Sequence, residues 1–401
     1  FSPDLETWQQ YPGNPVLVSR KPYYGGEDWR DLSVYYDAQE KLWHGYLCAR
    51  TAGSGAPVPP DTTDETQIAC IARVKSKNLT EWEYLPPIFA SPKFLFMEVP
   101  EYFQMNGRHY LIFSCARSRK DTSGRKDASG TWYVMADSRE GPYRIPEQPL
   151  LLGSGQGRMD NYVGRTLLFG DTRLLYHHTV HGWLKGCCEH PVTWGIPKVI
   201  RQSEDGTLWL GYWPNLNQLE TSAVITGFDG VSVNDTMAAG AWTAAKEKIS
   251  CRSDEQPDSI LWLPYAGSHT MITCTLQAQP AQAAGIVFRW DGERGTGLIL
   301  EEKTDSLALV QIKAVDHLPV SELIDHYQGL GMADHPQNIR LLIHSHRVEV
   351  YVNDRWFFST SILDAPAQGR VGLLVRQGTA EFSGFRMAEL ESLPAAAEAL
   401  R

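Results

Sequence analysis

Long apolar runs are missing from this sequence. None approaches the roughly 18 to 20 residues that a helix needs to cross a bilayer, so neither a membrane anchor nor a membrane partner is predicted. Charged residues make up 21% and apolar residues 42% of the 401 positions, which is typical of a folded globular protein. A chain of this length exceeds one ordinary core, so we expect two domains, or three.

Excess positive charge is also lacking. The chain has 37 Lys and Arg residues against 47 Asp and Glu residues, which gives a net charge of -10 at pH 7. Proteins that bind nucleic acids draw much of their affinity from clustered cations. The charge balance therefore argues against a nucleic-acid partner and favours a neutral one.

Cysteines are few and follow no disulfide framework. There are seven, an odd number, and their spacing matches no pairing pattern. This predicts free, mostly buried thiols, which favour a reducing compartment and hence a cytoplasmic location. Secretion is the alternative, because the chain begins at Phe1 rather than Met and any targeting segment would precede it.

Helical periodicity is nearly absent up to about Trp213. Short strand-like segments alternate there with turns rich in Gly, Pro, Asp and Asn, as in barrels, sandwiches and propellers. An internal repeat decides among these folds. The segment Ser2–Trp8 is echoed by Ser76–Trp82 and, more weakly, by Ser138–Tyr143, at offsets of 74 and 62 residues. Offsets of this size favour propeller blades with long loops.

The pattern changes after Trp213. Residues 214–236 have little periodicity and are interpreted as a connector. Residues 237–401 contain strands with cleaner alternation of apolar and polar positions. We therefore predict an all-β protein with a β-propeller over residues 1–213 and a β-sandwich over residues 237–401.

Two segments of the second half have distinctive local patterns. Arg347–Val352 alternates strictly and meets an Asn-Asp turn before Arg355–Phe358, which predicts a β-hairpin. Ser321–Leu330 instead has the composition of a helix.

A carboxylate follows each copy of the repeat, where an innermost propeller strand should begin. Asp31 lies 29 residues after Ser2, whereas Glu98 and Asp160 each lie 22 residues after the start of their repeat. Asp and Glu are poor strand formers, so three of them in register indicate a shared use. The innermost strands of a propeller converge on one funnel, and paired carboxylates across a cleft are the working groups of glycoside hydrolysis.

Four short motifs follow one another along the first half: Asp4-Leu5-x-x-Trp8, Trp29-Arg30-Asp31, Glu98-Val99-Pro100 and Met159-Asp160-Asn161-Tyr162. In this order they resemble the corresponding motifs of glycoside hydrolase family 32, the invertase, inulinase and levanase group. The resemblance covers nearly the whole chain and implies a five-bladed β-propeller followed by a C-terminal β-sandwich. The segment Trp194-Gly195-Ile196-Pro197 resembles part of the family's last blade.

The resemblance also implies a role for each site residue. Glu98 would be the general acid/base, which protonates the glycosidic oxygen and then activates water. Asp31 would stabilise the oxocarbenium-like transition state beside Arg30, and Trp29 and Asp160 would bind the sugar. The implied activity is retaining hydrolysis of β-linked fructosides of the sucrose, inulin or levan class, with an oligo- or polysaccharide substrate and neither cofactor nor metal.

The chain departs from the family pattern at the nucleophile. Leu32 stands where the family usually has Pro, and Val99 where it usually has Cys, which are mild changes. No segment matches the Asn-Asp-Pro-Asn-type motif that carries the nucleophilic Asp. The repeat spacing places this acid 40 to 45 residues before Ser2, so we expect an incomplete first blade.

Two alternatives to a β-fructosidase stay open. The propeller could bind a sugar at Arg30, Asp31 and Asp160 without hydrolysing it, or the enzyme could act on pentosides, as related five-bladed families do. Histidines and cysteines are frequent between His177 and His190, but their spacing fits no standard zinc pattern. The sequence predicts no oligomeric state.

Overall fold

The computed structural model of the protein describes residues 1–52, 67–116, 129–154, 161–179, 193–238, 240–253, 258–279, 283–328, 335–344, 347–362 and 366–391. In these residues nearly all regular structure is β-strand, and the helical element with defined bounds is a short 3₁₀ helix, Pro214–Leu219. Within the same residues, no helix has the length and apolar character that a membrane crossing requires. The predicted all-β class is confirmed.

Two four-stranded antiparallel sheets and a third antiparallel sheet of five strands lie before residue 212. The first contains β1 (Arg30–Asp37), β2 (Leu42–Arg50), β3 (Ala69–Ser76) and β4 (Glu83–Ala90). The second contains β5 (Glu98–Met105), β6 (Arg108–Cys115), β7 (Ser129–Ala136) and β8 (Leu150–Ser154). The third contains β9 (Asn161–Phe169), β10 (Thr172–Thr179), the two-residue β11 (Thr193–Trp194), β12 (Lys198–Gln202) and β13 (Leu208–Gly211).

Strands follow chain order within each of these sheets, as they do in propeller blades. The described part of the chain contains three such sheets, so the five-bladed ring and its incomplete first blade stay predictions. Trp194, which resembles part of the family's last blade, lies in the third sheet, because β11 and β12 both pair with β10.

The internal repeat is confirmed as a repeated turn. In both Ser2–Trp8 and Ser76–Trp82, the Ser hydroxyl accepts a hydrogen bond from the amide of a Leu three residues later at 2.8 Å. That Leu has a positive φ of 64° or 66°, and its carbonyl accepts the Trp indole N–H at 3.1 Å. The weaker copy at Ser138 differs, because the Ser138 hydroxyl donates to the Gly141 carbonyl instead.

Two further sheets form the second half. One contains β15 (Thr236–Met237), β18 (Ser259–Gly267), β27 (Gly369–Arg376), β20 (Ala283–Trp290), β21 (Arg294–Glu301), β22 (Ser306–Val315) and β23 (Leu318–Gln328). The other contains β26 (Arg355–Ser361), β25 (Arg347–Val352), β24 (Gln337–His344), β19 (Thr270–Gln279), β28 (Gly378–Leu390), β17 (Lys248–Ser253) and β16 (Ala241–Ala245), with β14 (Glu220–Thr226) also paired to β28.

These two sheets pack face to face as a β-sandwich. Ile272 and Phe382 from one sheet and Leu298 and Leu373 from the other are fully buried in a single apolar cluster. The cluster forms because each strand alternates side chains between its two faces, so one face of each sheet supplies the core.

Two local expectations for the second half differ from the structure. The helix predicted at Ser321–Leu330 is wrong, because this segment up to Gln328 belongs to β23, which pairs with β22 along its whole length. The row of backbone partners on β22, interrupted by a bulge at Ile324, outweighs the helix propensity of the segment. The predicted connector, residues 214–236, contains the 3₁₀ helix and β14, which is a strand of the sandwich.

The third sheet is continuous with the sandwich. Gly211 of β13 pairs with Arg355 of β26. Apolar side chains from both sides share one buried cluster, to which the third sheet contributes Leu175 and Ile200 and the sandwich contributes Leu342 and Trp356, among others.

The described cysteines agree with the predicted state of the thiols. Five are buried thiols: Cys48, Cys70, Cys115, Cys251 and Cys274. Burial raises the pKa of the Cys48, Cys251 and Cys274 thiols to about 12, so they are protonated and unreactive at neutral pH. Cys187 and Cys188 lie outside the described residues.

Candidate active site

The first strand of each of the three propeller sheets has a β-bulge near its start. In each bulge, two residues of the first strand lie opposite one residue of its partner strand. The first of the two bulged residues has a positive φ in all three sheets: 60° at Asp31, 48° at Val99 and 53° at Val163. Bulges of this kind re-aim side chains at the rims of β-structures.

The bulges make Arg30, Glu98 and Tyr162 structurally equivalent, and their side chains meet. Arg30 Nη2 donates to Glu98 Oε1 at 2.9 Å, and Tyr162 Oη donates to Glu98 Oε2 at 2.5 Å. The register predicted from sequence, with Asp31, Glu98 and Asp160 as equivalents, is wrong, since Asp31 corresponds to Val99. Asp160 lies outside the described residues.

Asp31 is turned by its bulge toward the neighbouring strand β5. Its Oδ2 accepts a hydrogen bond from the Val99 amide at 3.1 Å and lies 3.7 Å from Arg30 Nε. The Asp31 side chain is 28% exposed and that of Glu98 is 24% exposed. The two carboxylates predicted to work together therefore lie on neighbouring strands, share Arg30 as a partner and face solvent.

Arg30 is fixed by a second carboxylate, Asp28. Arg30 Nη1 donates to Asp28 Oδ1, and Arg50 Nε donates to Asp28 Oδ2 at 2.7 Å. Burial alone would lower the pKa of Arg30, but its hydrogen bonds to Asp28 and Glu98 raise that pKa above its ordinary value. Burial opposes ionisation of Asp28, yet Arg30 and Arg50 together hold its pKa below the ordinary value. The site therefore contains a permanent positive charge between two acids.

Tyr162 is the site residue to which the sequence assigned no role. Burial first, and then the nearby charge of Glu98, raise the pKa of Tyr162. The phenol therefore stays protonated and donates a hydrogen bond to Glu98. The sequence could not identify Tyr162 as an inward residue by strand alternation, because the bulge on β9 shifts that alternation.

Trp29 lies at the wall of an open depression beside Arg30 and Asp31. Its indole stacks on Tyr84 with ring centroids 6.1 Å apart, and its Nε1 donates to the Leu17 carbonyl at 3.4 Å. The depression has a volume of about 500 Å³ and is lined by Asn14, Pro15, Val16, Leu17, Trp29, Arg30, Asp31, Leu32 and Leu47. A mostly apolar wall with a few convergent polar groups is the usual character of small-molecule sites.

A group of side chains with metal-ligating atoms lies at the other end of β1. Oxygen and nitrogen atoms of Asp37, Glu40 and His44 lie within 4.8 Å of one another. The Arg139 guanidinium already donates to both Asp37 and Glu40, and its positive charge disfavours a cation there. Residues 180–192, with the remaining His and Cys residues of the His177–His190 region, lie outside the described residues.

Neither a protein-family model nor a curated protein sequence matches the chain, but solved structures do. A family 32 β-fructofuranosidase of Bombyx mori matches with a TM-score of 0.61 and 14% identity over 95% of this chain and 69% of that one. The chain has the fold of these enzymes.

Two fungal enzymes give similar matches. The β-fructofuranosidase of Aspergillus kawachii has a TM-score of 0.65 and 12% identity, over 94% of this chain and 73% of that one. The exo-inulinase of Aspergillus awamori has a TM-score of 0.58 and 14% identity, over 94% and 71%. The propeller-plus-sandwich fold that the resemblance implies is therefore confirmed, whereas its five-blade count stays a prediction and the role of each residue rests on the geometry of the site.

Proposed function

We propose that the protein is a glycoside hydrolase that binds β-fructosides at Arg30, Asp31 and Glu98, with Glu98 as the acid/base. The observation that carries the proposal is the placement of Glu98, a partly exposed carboxylate at the start of the first strand of its sheet with a partner on each oxygen. Fold likeness to β-fructofuranosidases, an exo-inulinase and the sucrose-6-phosphate hydrolase of Lactobacillus gasseri supports it. A form of the Bombyx mori enzyme with bound sucrose supports a carbohydrate ligand.

The contacts of Glu98 suggest how it would act. A glycosidic oxygen would approach one carboxylate oxygen of Glu98, receive its proton as the bond breaks, and leave the carboxylate to accept a proton from water. Asp31 would stabilise the positive charge that develops on the sugar ring. Arg30 and Tyr162 would hold Glu98 in place during both steps, since each binds one of its oxygens. Trp29 and Asp160 would contact the sugar.

Retaining hydrolysis also requires a nucleophilic carboxylate about 5 to 5.5 Å from the acid/base. Asp28 is bound by Arg30 and Arg50, and Asp31 by Val99 and Arg30, so neither is free of protein partners. Because no segment of the sequence matches the motif that carries the family's nucleophile, a second candidate function is sugar binding without hydrolysis.

The deciding experiment compares Glu98→Gln with the wild-type protein. Fructose release is measured from sucrose, inulin and levan, arabinose release from an arabinofuranoside, and sucrose binding by calorimetry. We expect fructoside hydrolysis by the wild type, and a kcat lower by about 10²- to 10⁴-fold in the variant, because an amide cannot transfer the proton. Glu83→Gln, which changes an exposed Glu on β4, is the matched control and should leave kcat unchanged.

Each other outcome favours a different function. Sucrose binding that survives in Glu98→Gln, with no fructose release by the wild type, favours the sugar-binding protein. Arabinose release without fructose release favours a pentosidase. Full-rate fructoside hydrolysis by Glu98→Gln would contradict the assignment of the acid/base.

A further inference from the structure

A buried ion pair connects the third sheet to the sandwich. Lys198 Nζ on β12 lies 2.8 Å from Glu349 Oε2 on β25, and neither side chain has any exposed surface. Lys198 Nζ also donates to the Ile196 carbonyl at 2.7 Å and lies 3.2 Å from His177 Nε2. Since apolar residues of similar size can often replace a buried ion pair without loss of stability, this pair calls for an explanation beyond stability.

Glu349 also fixes the neighbouring strand β26. The Ser359 hydroxyl donates to Glu349 Oε1 at 2.6 Å, and the Trp356 indole donates to Oε2 at 3.2 Å. Ser359 is directly opposite Glu349 in the β25–β26 ladder, so the carboxylate holds both the side chain and the local backbone of Ser359.

The backbone of Ser359 in turn binds the start of β9. Asn161 Nδ2 donates to the Ser359 carbonyl at 2.6 Å, and it also lies 3.2 Å from Ser154 Oγ and 3.3 Å from the Gly153 carbonyl. Asn161 is buried and immediately precedes Tyr162, whose hydroxyl binds Glu98. A continuous set of contacts therefore runs from Lys198 to Glu98.

We propose that the sandwich positions the acid/base, with Asn161 as a positioning residue that fixes Tyr162 against Glu98. Ser359, Glu349 and Lys198 hold the acceptor of the Asn161 amide in place. The inference rests on the proposed function for the role of Glu98. It follows from geometry, because a hydrogen bond of 2.5 Å requires its donor to be placed within a few tenths of an ångström.

The test is a double-mutant cycle on sucrose hydrolysis with Asn161→Ala, Tyr162→Phe and the double variant. We expect Asn161→Ala to lower kcat about 10- to 100-fold with KM changed less than about twofold, since misplacement affects the chemical step more than binding. In the Tyr162→Phe background, Asn161→Ala should have no further effect on kcat, because Asn161 acts through the hydroxyl that is already missing. Equal effects in both backgrounds, or an unchanged kcat, would overturn the inference.

Gln148→Ala is the matched control. Gln148 accepts a hydrogen bond from Arg355, so this variant also removes a contact between β26 and the propeller, but not one at β9. Its kcat should equal that of the wild type. If Asn161→Ala does not fold, Asn161→Ser takes its place in the same cycle.

Amide hydrogen exchange separates failure of this inference from failure of the proposed function. In Asn161→Ala, amides at the start of β9 should exchange about tenfold faster or more, whereas Gln148→Ala should leave them unchanged. If the wild-type protein hydrolyses no fructoside, the proposed function fails, and amide hydrogen exchange alone tests the positioning inference. Faster exchange confined to β9 then supports positioning of Tyr162 by Asn161, and unchanged exchange overturns it.

Discussion

Lys198 and Glu349 place two charges inside the molecule, where water cannot reach them. Burial lowers the pKa of Lys198, and the charge of Glu349 opposes this shift. Each charge is tolerable only because the other is present, so the effect of a substitution depends on whether one partner or both are removed.

Lys198→Met should lower the free energy of unfolding by about 3–5 kcal/mol, because it leaves Glu349 buried and unpaired. The double variant Lys198→Met/Glu349→Gln should recover most of this loss, since the Gln oxygen can still accept from Ser359. Urea unfolding measures the free energy of unfolding of both variants. Lys313→Met, which removes an exposed pair with Glu322, is the control and should change stability by less than about 1 kcal/mol. Equal stability of the single and double variants would contradict this account.

Individual site residues were predictable to different degrees. Asp31 and Glu98 could be chosen from sequence because carboxylates are unusual at strand starts, and Arg30 because its motif resembles one of family 32. The structure brings the three together. Tyr162 could not be chosen, because its inward position depends on a bulge that breaks simple alternation. The roles proposed for Trp29 and Asp160 stay predictions.

At the scale of elements, the bulges concentrate unfavourable backbone geometry at the site. Val99 and Val163 have positive φ, which β-branched residues rarely adopt. Backbone conformations of this kind persist where the surrounding structure enforces them, and they are frequent at functional sites. Here the β-ladders on both sides of each bulge supply that enforcement.

The repeated turn gives a prediction for a single element. Asn78 Oδ1 accepts the amides of Thr80 at 3.0 Å and Glu81 at 2.9 Å, and Asn78→Ala removes both bonds. We expect the free energy of unfolding to fall by about 1–2 kcal/mol, as measured by urea or thermal unfolding. Thr80→Ala keeps both turn bonds and is the control. A neutral Asn78→Ala would show that the turn does not depend on its side-chain bonds.

Strand prediction succeeded where local and tertiary signals agree. Arg347–Val352 alternates, and the turn residues Asn353 and Asp354 both have the positive φ that a tight hairpin turn needs, so the predicted β25–β26 hairpin is confirmed. In β23 the two signals disagree. Its helical composition is local, whereas its pairing with β22 is visible only in the folded sheet.

At the scale of the whole molecule, several histidines are held in the neutral form. Burial is the first cause in each, and it lowers the pKa of His44, His109, His177, His178 and His344 below the ordinary 6.5. Each of these groups binds a proton more readily in the unfolded chain. Their contribution to stability is therefore complete above pH 6.5 and is lost as pH falls through and below that value.

We expect the free energy of unfolding to decrease steadily from about pH 7.5 to pH 5.5, as measured by urea unfolding at several pH values. The carboxylates Asp28 and Glu140, whose pKa is lowered by neighbouring arginines, extend the decrease below about pH 4.5. His177→Gln should reduce the slope between pH 7.5 and 5.5, since it removes one of the protons taken up on unfolding. A flat profile in this range would contradict the prediction.

The types of domain were predictable from the sequence, but the number of sheets in the propeller was not. Alternation and the repeat indicate a propeller and a sandwich, which agrees with the fold of the solved β-fructofuranosidases. The repeat offsets of 74 and 62 residues include long loops as well as strands, so they do not fix how many sheets a ring contains. Ring closure depends on packing between sheets, which periodicity along one strand does not report.

The apolar cluster shared by the third sheet and the sandwich limits how this architecture can be recombined. Separating the chain after Trp213 would expose Leu175 and Ile200 on one piece and Leu342, Tyr351 and Trp356 on the other. Each piece would then have a solvent-exposed apolar patch and would tend to aggregate. A sandwich transplanted from another protein would have to reproduce this patch, so the two halves are expected to be inherited and exchanged as one unit.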